Sequence, residues 1–178
     1  MTFPNATTDH SRYDLFAGSL SIERNSLDYK QYPISGRKQF LVAQYVTGTE
    51  KYMPSPITDM GSFDRKVHSW LQMKGEWEQY KTISPYFNLG FMSELVLSSK
   101  NLMNNYTASV LQAPAFTPTP HSQIVFNEAF RANQYVAFGL SPILKFSKLL
   151  HFRLDMYGFA PLYEIKKEEV WNNNTYTA

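Results

Sequence analysis

The stretch His68–Lys81 most constrains what this chain can become. Leu71, Met73, Gly75 and Trp77 fall on one side of an extended backbone, and Gln72, Lys74, Glu76 and Glu78 on the other. Successive side chains of a strand point to opposite faces, so this is a strand with one apolar and one charged face. Consecutive long polar side chains on one face cannot enter a dry core without complete pairing. The water-filled interior of a β-barrel accepts them. The stretch therefore predicts a strand that is apolar outside and polar inside.

The same partition recurs along the chain. Tyr86–Ser98 sets Phe87, Leu89, Phe91, Leu95 and Leu97, with Ser93, against Asn88, Gly90, Met92, Glu94, Val96 and Ser98. Leu150–Leu162 sets Phe152, Leu154, Met156, Gly158, Ala160 and Leu162 against His151, Arg153, Asp155, Tyr157 and Phe159. Tyr13–Arg24, Arg37–Gly48 and Asn133–Pro142, the last continued by Ile143–Ser147, supply three more candidates, of which Arg37–Gly48 is the least sided. The connections are a polar one at Asn25–Gly36, a long loop at 49–67, a turn at Thr82–Pro85, a very long loop at 99–132 and a tight return at Lys148–Leu149. Short turns alternating with long loops match the periplasmic and external ends of outer-membrane barrels. Strands of about 10–14 residues suit a tilted crossing that needs roughly 9–11 in the hydrocarbon.

Composition narrows the function classes. A net charge of +2 without a basic run gives no nucleic-acid footprint. Cysteine is absent, so thiol chemistry and disulfides are excluded. Aromatic residues reach 16%, with Tyr 12 and Phe 13, as interfacial girdles require. No apolar run reaches the roughly 20 residues of a helical span. Residues 1–12 are expected to be a loop or linker, 13–165 the strand-bearing region, and 166–178 a loop cut before closing strands. The whole is then an all-β, antiparallel up-and-down transmembrane barrel segment of about six strands, short of the eight that the smallest such barrels need.

No nucleophile elbow, phosphate loop, dinucleotide fingerprint or zinc-protease motif occurs. His10, His68, His121 and His151 are far apart and are expected to be solvated. Glu76, Glu78 and Glu94 could serve acid–base work, but as lumen-lining carboxylates balanced by Lys74 and Arg153 they need no catalytic role. Trp70, Trp77 and Tyr80 are expected to anchor strand ends at a bilayer interface. His68 beside Ser69, and His121 beside Ser122, cannot pair as nucleophile and base, because neighbours on a strand face apart. No catalytic residue, cofactor or metal site is predicted.

Two loop strings carry a family resemblance: Asn105–Ser122 (NYTASVLQAPAFTPTPHS) and Phe126–Ala137 (FNEAFRANQYVA), with Tyr45–Glu50 (YVTGTE) and the following Pro54. They resemble the C-terminal, surface-antigen-type outer-membrane barrel of Bacteroidetes patatin-like phospholipases, over most of 13–165. The resemblance implies a parent in which an N-terminal patatin lipase domain is joined to a barrel of roughly sixteen strands. The patatin serine–aspartate dyad has no counterpart here, so lipid acyl hydrolysis would belong to the parent. The implied partners are outer-membrane lipid, the rest of the barrel and the patatin domain. In the wider superfamily a long external loop folds into the lumen and pins an Arg on the wall. Arg131 is expected to do so with Glu94 or Glu76, among lumen-lining Lys74, Arg153 and Asp155. The competing expectation is a soluble barrel or sandwich that binds an apolar ligand, which would be apolar inside and polar outside.

Overall fold

Period-two alternation becomes a single antiparallel sheet. The computed structural model describes residues 10–53, 64–100, 103, 106–147, 150–163 and 165. Its elements are β1 (His10–Asn25), β2 (Gly36–Met53), β3 (Asp64–Ser84), β4 (Phe87–Ser98), a short helix α1 (Tyr106–Leu111), a 3-10 turn at Glu128–Phe130, β5 (Gln134–Lys145), β6 (His151–Arg153) and β7 (Met156–Tyr163). The seven strands follow one another in sequence order, with β6 and β7 both paired to β5. Among the described residues β1 meets neither β6 nor β7, so the sheet is an unclosed barrel wall. The fold is all-β, antiparallel and up-and-down.

Each strand has the sidedness expected of it. The outer face carries Phe16, Leu20 and Ile22 of β1, Leu41 and Tyr45 of β2, Leu71, Met73 and Trp77 of β3, and Phe91, Leu95 and Leu97 of β4. It continues through Val136, Phe138, Leu140 and Leu144 of β5 to Phe152, Met156 and Leu162 of the last two strands, all exposed. The inner face holds Val96, Tyr135, Ala137 and Ile143, each 0% exposed, beside buried Glu94, Asn88 and Ser141. Two inner glycines make room for aromatic rings: a Cβ at Gly90 would run into Tyr80, and one at Gly139 would meet Tyr157.

Several element boundaries differ from expectation. The β2–β3 ladder does not stop at Gly48 but continues from Thr49↔Val67 to Tyr52↔Asp64, so the 49–67 loop contracts to 54–63, outside the described residues. Polar side chains there alternate as well as apolar ones do, and the inward Glu50 has partners that let the strand run on. The first turn is Pro85–Tyr86, because β3 extends to Ser84 through an irregularity between Thr82 and Ser84. Lys148–Leu149, residues 1–9 and 166–178 lie outside the described residues.

The last expected strand is split. Ile143↔Arg153 and Leu140↔Met156 hold one register across the gap, and Leu154 N–H donates to Pro142 C=O at 3.1 Å. In an antiparallel pair a residue's N–H and C=O point the same way, so the missing N–H of Pro142 is the one Leu154 C=O would have accepted. Proline breaks the ladder there.

The ends of the sheet are unequal. Connections 26–35, 85–86 and 146–150 lie at one end, and 54–63 and 99–133 at the other. The 26–35 connection is built on Asp28, whose Oδ1 accepts the N–H groups of Tyr29, Ile34 and Ser35 at 3.0–3.2 Å. Tyr32 (φ 54°) and Gly36 (φ 102°) turn the chain, and Asn88 holds Ile34 C=O at 2.7 Å. Both this segment and the long loop fold over the inner face.

Candidate functional site: a charged cavity behind two inward loops

β2 to β6 converge on a cavity of about 220 Å³ on the inner face. It is lined by Lys38, Lys74, Glu76, Glu78 and Glu94 on the wall, by Arg153, and by Thr117–Pro120 from the long loop. The spacing i, i+2 puts Lys74, Glu76 and Glu78 in one row of β3, and the register sets Glu76 opposite Glu94. Like charges face to face are unfavourable, and each carboxylate has a lysine. Lys38 Nζ sits 2.7 Å from Glu76, and Lys74 Nζ 2.9 Å from Glu94, whose Oε1 also accepts the buried hydroxyl of Tyr135. Glu78 accepts Tyr80 Oη at 2.7 Å.

Arg153 ties the wall to the 26–35 connection. Its Nε donates to Asp155 at 2.7 Å, Nη1 to Pro33 C=O at 2.8 Å, and Nη2 to Tyr80 Oη at 3.0 Å. Asp155 also accepts Ser141 Oγ, and the guanidinium lies over the Tyr32 and Tyr80 rings. Five of the six expected lumen residues (Lys74, Glu76, Glu94, Arg153 and Asp155) thus lie on the inner face, in three separately bonded groups.

Arg131 is placed elsewhere, and its expected pairing with Glu94 or Glu76 is not formed. Its Nη1 donates to Leu111 and Ala113 carbonyls at 3.0 and 3.1 Å, with Val110 at 3.5 Å, and it stacks over Phe126. Leu111 C=O ends α1 and Ala113 C=O lies just past it, where a cation satisfies carbonyls well, while Val110 C=O also accepts Ala113 N–H at 3.2 Å. Arg131 organises the loop itself. Phe116 attaches the loop to the wall, with ring centroids 6.0–6.4 Å from Tyr135, Tyr157 and Phe159.

Nearer the long-loop end lies a buried cluster that the sequence reading missed. Glu50, 0% exposed, accepts Tyr13 Oη at 3.0 Å and contacts His68 Nε2 at 2.8 Å. His68 is therefore buried and paired, where solvation was expected. Lys100 is buried with its Nζ 5.2 Å from the Trp70 ring centroid, and among the described residues that Nζ has no hydrogen-bond partner. Burial lowers its pKa to about 8. Met103 packs on Val46 and Trp70, and its N–H donates to Ser109 Oγ at 2.9 Å. Trp70 and Tyr80 are inward and buried, so of the three expected interface anchors only Trp77 faces outward. The even spacing of Trp70 and Tyr80 with Lys74 was the available signal, outweighed by their distance from the middle of a strand that proves longer.

Among the described residues no cluster of His, Asp or Glu is suited to a metal ion. Comparisons with protein-family models, curated proteins and solved structures give no match.

Proposed function

We propose that the chain is a wall segment of a bacterial outer-membrane β-barrel that anchors or translocates a patatin-like lipid acyl hydrolase domain, itself non-catalytic. One observation carries the membrane part of this reading: the outer face bears an apolar band across the strands, with charges such as Arg12, Asp14 and Lys51 only toward its ends, while Lys74, Glu76, Glu78 and Glu94 lie inside. Soluble monomers rarely expose contiguous apolar patches beyond a few hundred Å², and a ligand-binding soluble barrel would have the opposite partition. The unequal lengths of the connections agree with short periplasmic turns and long external loops. The patatin part rests on the strings 105–122 and 126–137, together with 45–50 and Pro54.

Trp70 and Trp77 test the membrane reading, because adjacent inner and outer rows differ only in what they face. With Trp171→Phe in place, single-tryptophan forms refolded into vesicles with brominated acyl chains are expected to show strong quenching of Trp77 and little of Trp70. Equal, weak quenching of both would remove the reading. The patatin link is tested by recovering the full gene product and assaying it for acyl hydrolase activity. A product without a serine elbow upstream of this segment would refute it.

A further inference from the structure

The outer face is not uniform. A trough of about 750 Å³ crosses it, lined by Ile22, Leu41, Gly75, Trp77 and Leu95 and reaching Arg24. Its floor lies on β2–β4, each flanked by neighbours on both sides. Gly75 is the lowest point, because it places no side chain between its partners Leu41 and Leu95. Both ladders pass it without a register shift, so no bulge calls for glycine there. Nor does it make room for a ring, as Gly90 and Gly139 do: among the described residues a Cβ would meet only Leu41 Cδ1, at 3.9 Å. Glycine weakens a strand interior, and where neither bulge nor packing explains it, it marks close approach of a ligand.

At Arg24 the trough opens onto a second pocket of about 360 Å³, lined by Arg24, Arg37 and Gln79. Alternation puts these three on the outer face with Ile22, Leu41 and Trp77. Along all three strands the order is the same, apolar toward the middle and polar or cationic toward the end that carries the 26–35 and 85–86 connections. Arg24 pairs with Gln39, so Arg37 is its diagonal neighbour at roughly 7–8 Å, and both guanidinium groups can reach one anion. Among the described residues neither forms an ion pair. At the opposite end the outer cations Arg12 and Lys51 do, 3.4 and 3.8 Å from Asp14. The guanidinium fork suits phosphate oxygens, which it binds in pairs. An apolar trough that ends in two unpaired arginines thus has the polarity of a lipid, hydrocarbon first and phosphate last.

We infer that this face binds an anionic phospholipid from the leaflet at the 26–35 end, with its phosphate between Arg24 and Arg37 and one acyl chain lying over Gly75 against Trp77. The inference rests on the membrane reading above, since only a bilayer delivers such a chain to the outer face.

Trp77, in the wall of the trough, reports its occupancy. The form that keeps Trp77 alone, with Trp70→Phe and Trp171→Phe, is refolded into phosphatidylcholine vesicles in which a small fraction of the lipid is brominated. Brominated phosphatidylglycerol is expected to quench Trp77 severalfold more than brominated phosphatidylcholine at the same fraction. Arg24→Gln with Arg37→Gln should remove the excess. Gly75→Leu, which fills the trough and leaves both arginines, should remove most of it, whereas Lys81→Gln, at an exposed cation outside the pocket, should keep it. An excess that Lys81→Gln lowers as much as the arginine pair does would be diffuse attraction and would overturn the site. If Gly75→Leu kept the full excess, the arginines would hold a phosphate without its chain, and the lipid would be overturned. Strong quenching in fully brominated vesicles without preference for phosphatidylglycerol overturns the site and leaves the membrane reading intact. No quenching there removes both.

Discussion

At the residue scale, two buried groups decide opposite outcomes. Glu94 is enclosed by Lys74 and Tyr135, so Glu94→Ala leaves a lysine ammonium and a buried hydroxyl without their acceptor. Removing one partner of a buried pair is more costly than replacing both. Glu94→Ala is expected to cost about 2–4 kcal/mol in urea unfolding of the refolded protein, and Glu94→Leu with Lys74→Met to recover much of it. Lys100 is the reverse case, a cation buried against a tryptophan face and without a hydrogen-bond partner at its Nζ among the described residues. Its folded pKa of about 8 lies below the ordinary 10.5, so between these values the unfolded chain holds a proton that the folded chain has released. Stability at this site is therefore lowest below pH 8 and rises with pH up to about 10.5. Lys100→Met is expected to gain about 1–3 kcal/mol at pH 7 and to flatten this rise, as unfolding midpoints between pH 7 and 10 would show. A variant that kept the full slope would assign the pH dependence to other groups.

At the element scale, the long loop is anchored by an aromatic contact. Phe116 is 3% exposed and packs on three rings of the wall, whereas Arg131 spends its hydrogen bonds on carbonyls near the end of α1. Phe116→Ala should cost about 3 kcal/mol and expose Thr117–Phe130 to limited proteolysis, while Arg131→Met should loosen the loop without freeing its anchor. Pro142 poses a separate question. Pro142→Ala returns the missing donor to the β5 ladder and should fuse β6 with β7, visible as a slowly exchanging amide at the new residue and about 1 kcal/mol of added stability. The strands themselves were legible in the sequence, because alternation alone fixes which residues share a face, as in Lys74, Glu76 and Glu78. The partners were not. Nothing local to Glu76 says that Lys38 lies across the register, and Phe40 and Val42 made that row of β2 look apolar. Glu50 and His68 read as loop and strand start for the same reason: their pairing across a hairpin is set by a register that only the folded sheet defines. Arg131 could be placed in the loop but not aimed, since the carbonyls it caps exist only once α1 has formed.

At the scale of the whole molecule, the partition of the sheet into an apolar outside and a charged inside makes a prediction that depends on height. Leu140 lies opposite Phe91 and Met156, midway along the ladders, while Leu144 lies opposite Phe87 and Phe152, near the short-turn end. Both side chains point outward and are similarly exposed, at 38 and 45%, so in water an arginine at either would be equally tolerated. In a bilayer the two differ. An arginine at the midplane of a barrel's lipid face costs roughly 2–4 kcal/mol and one near the interface about 0–1. Leu140→Arg should therefore reduce folding into vesicles severalfold or more, and Leu144→Arg should leave it nearly unchanged. The urea dependence of the single variants measures the difference directly. Equal effects would mean that the outer face meets water or protein at both heights, and the apolar surface would then need a covering other than lipid.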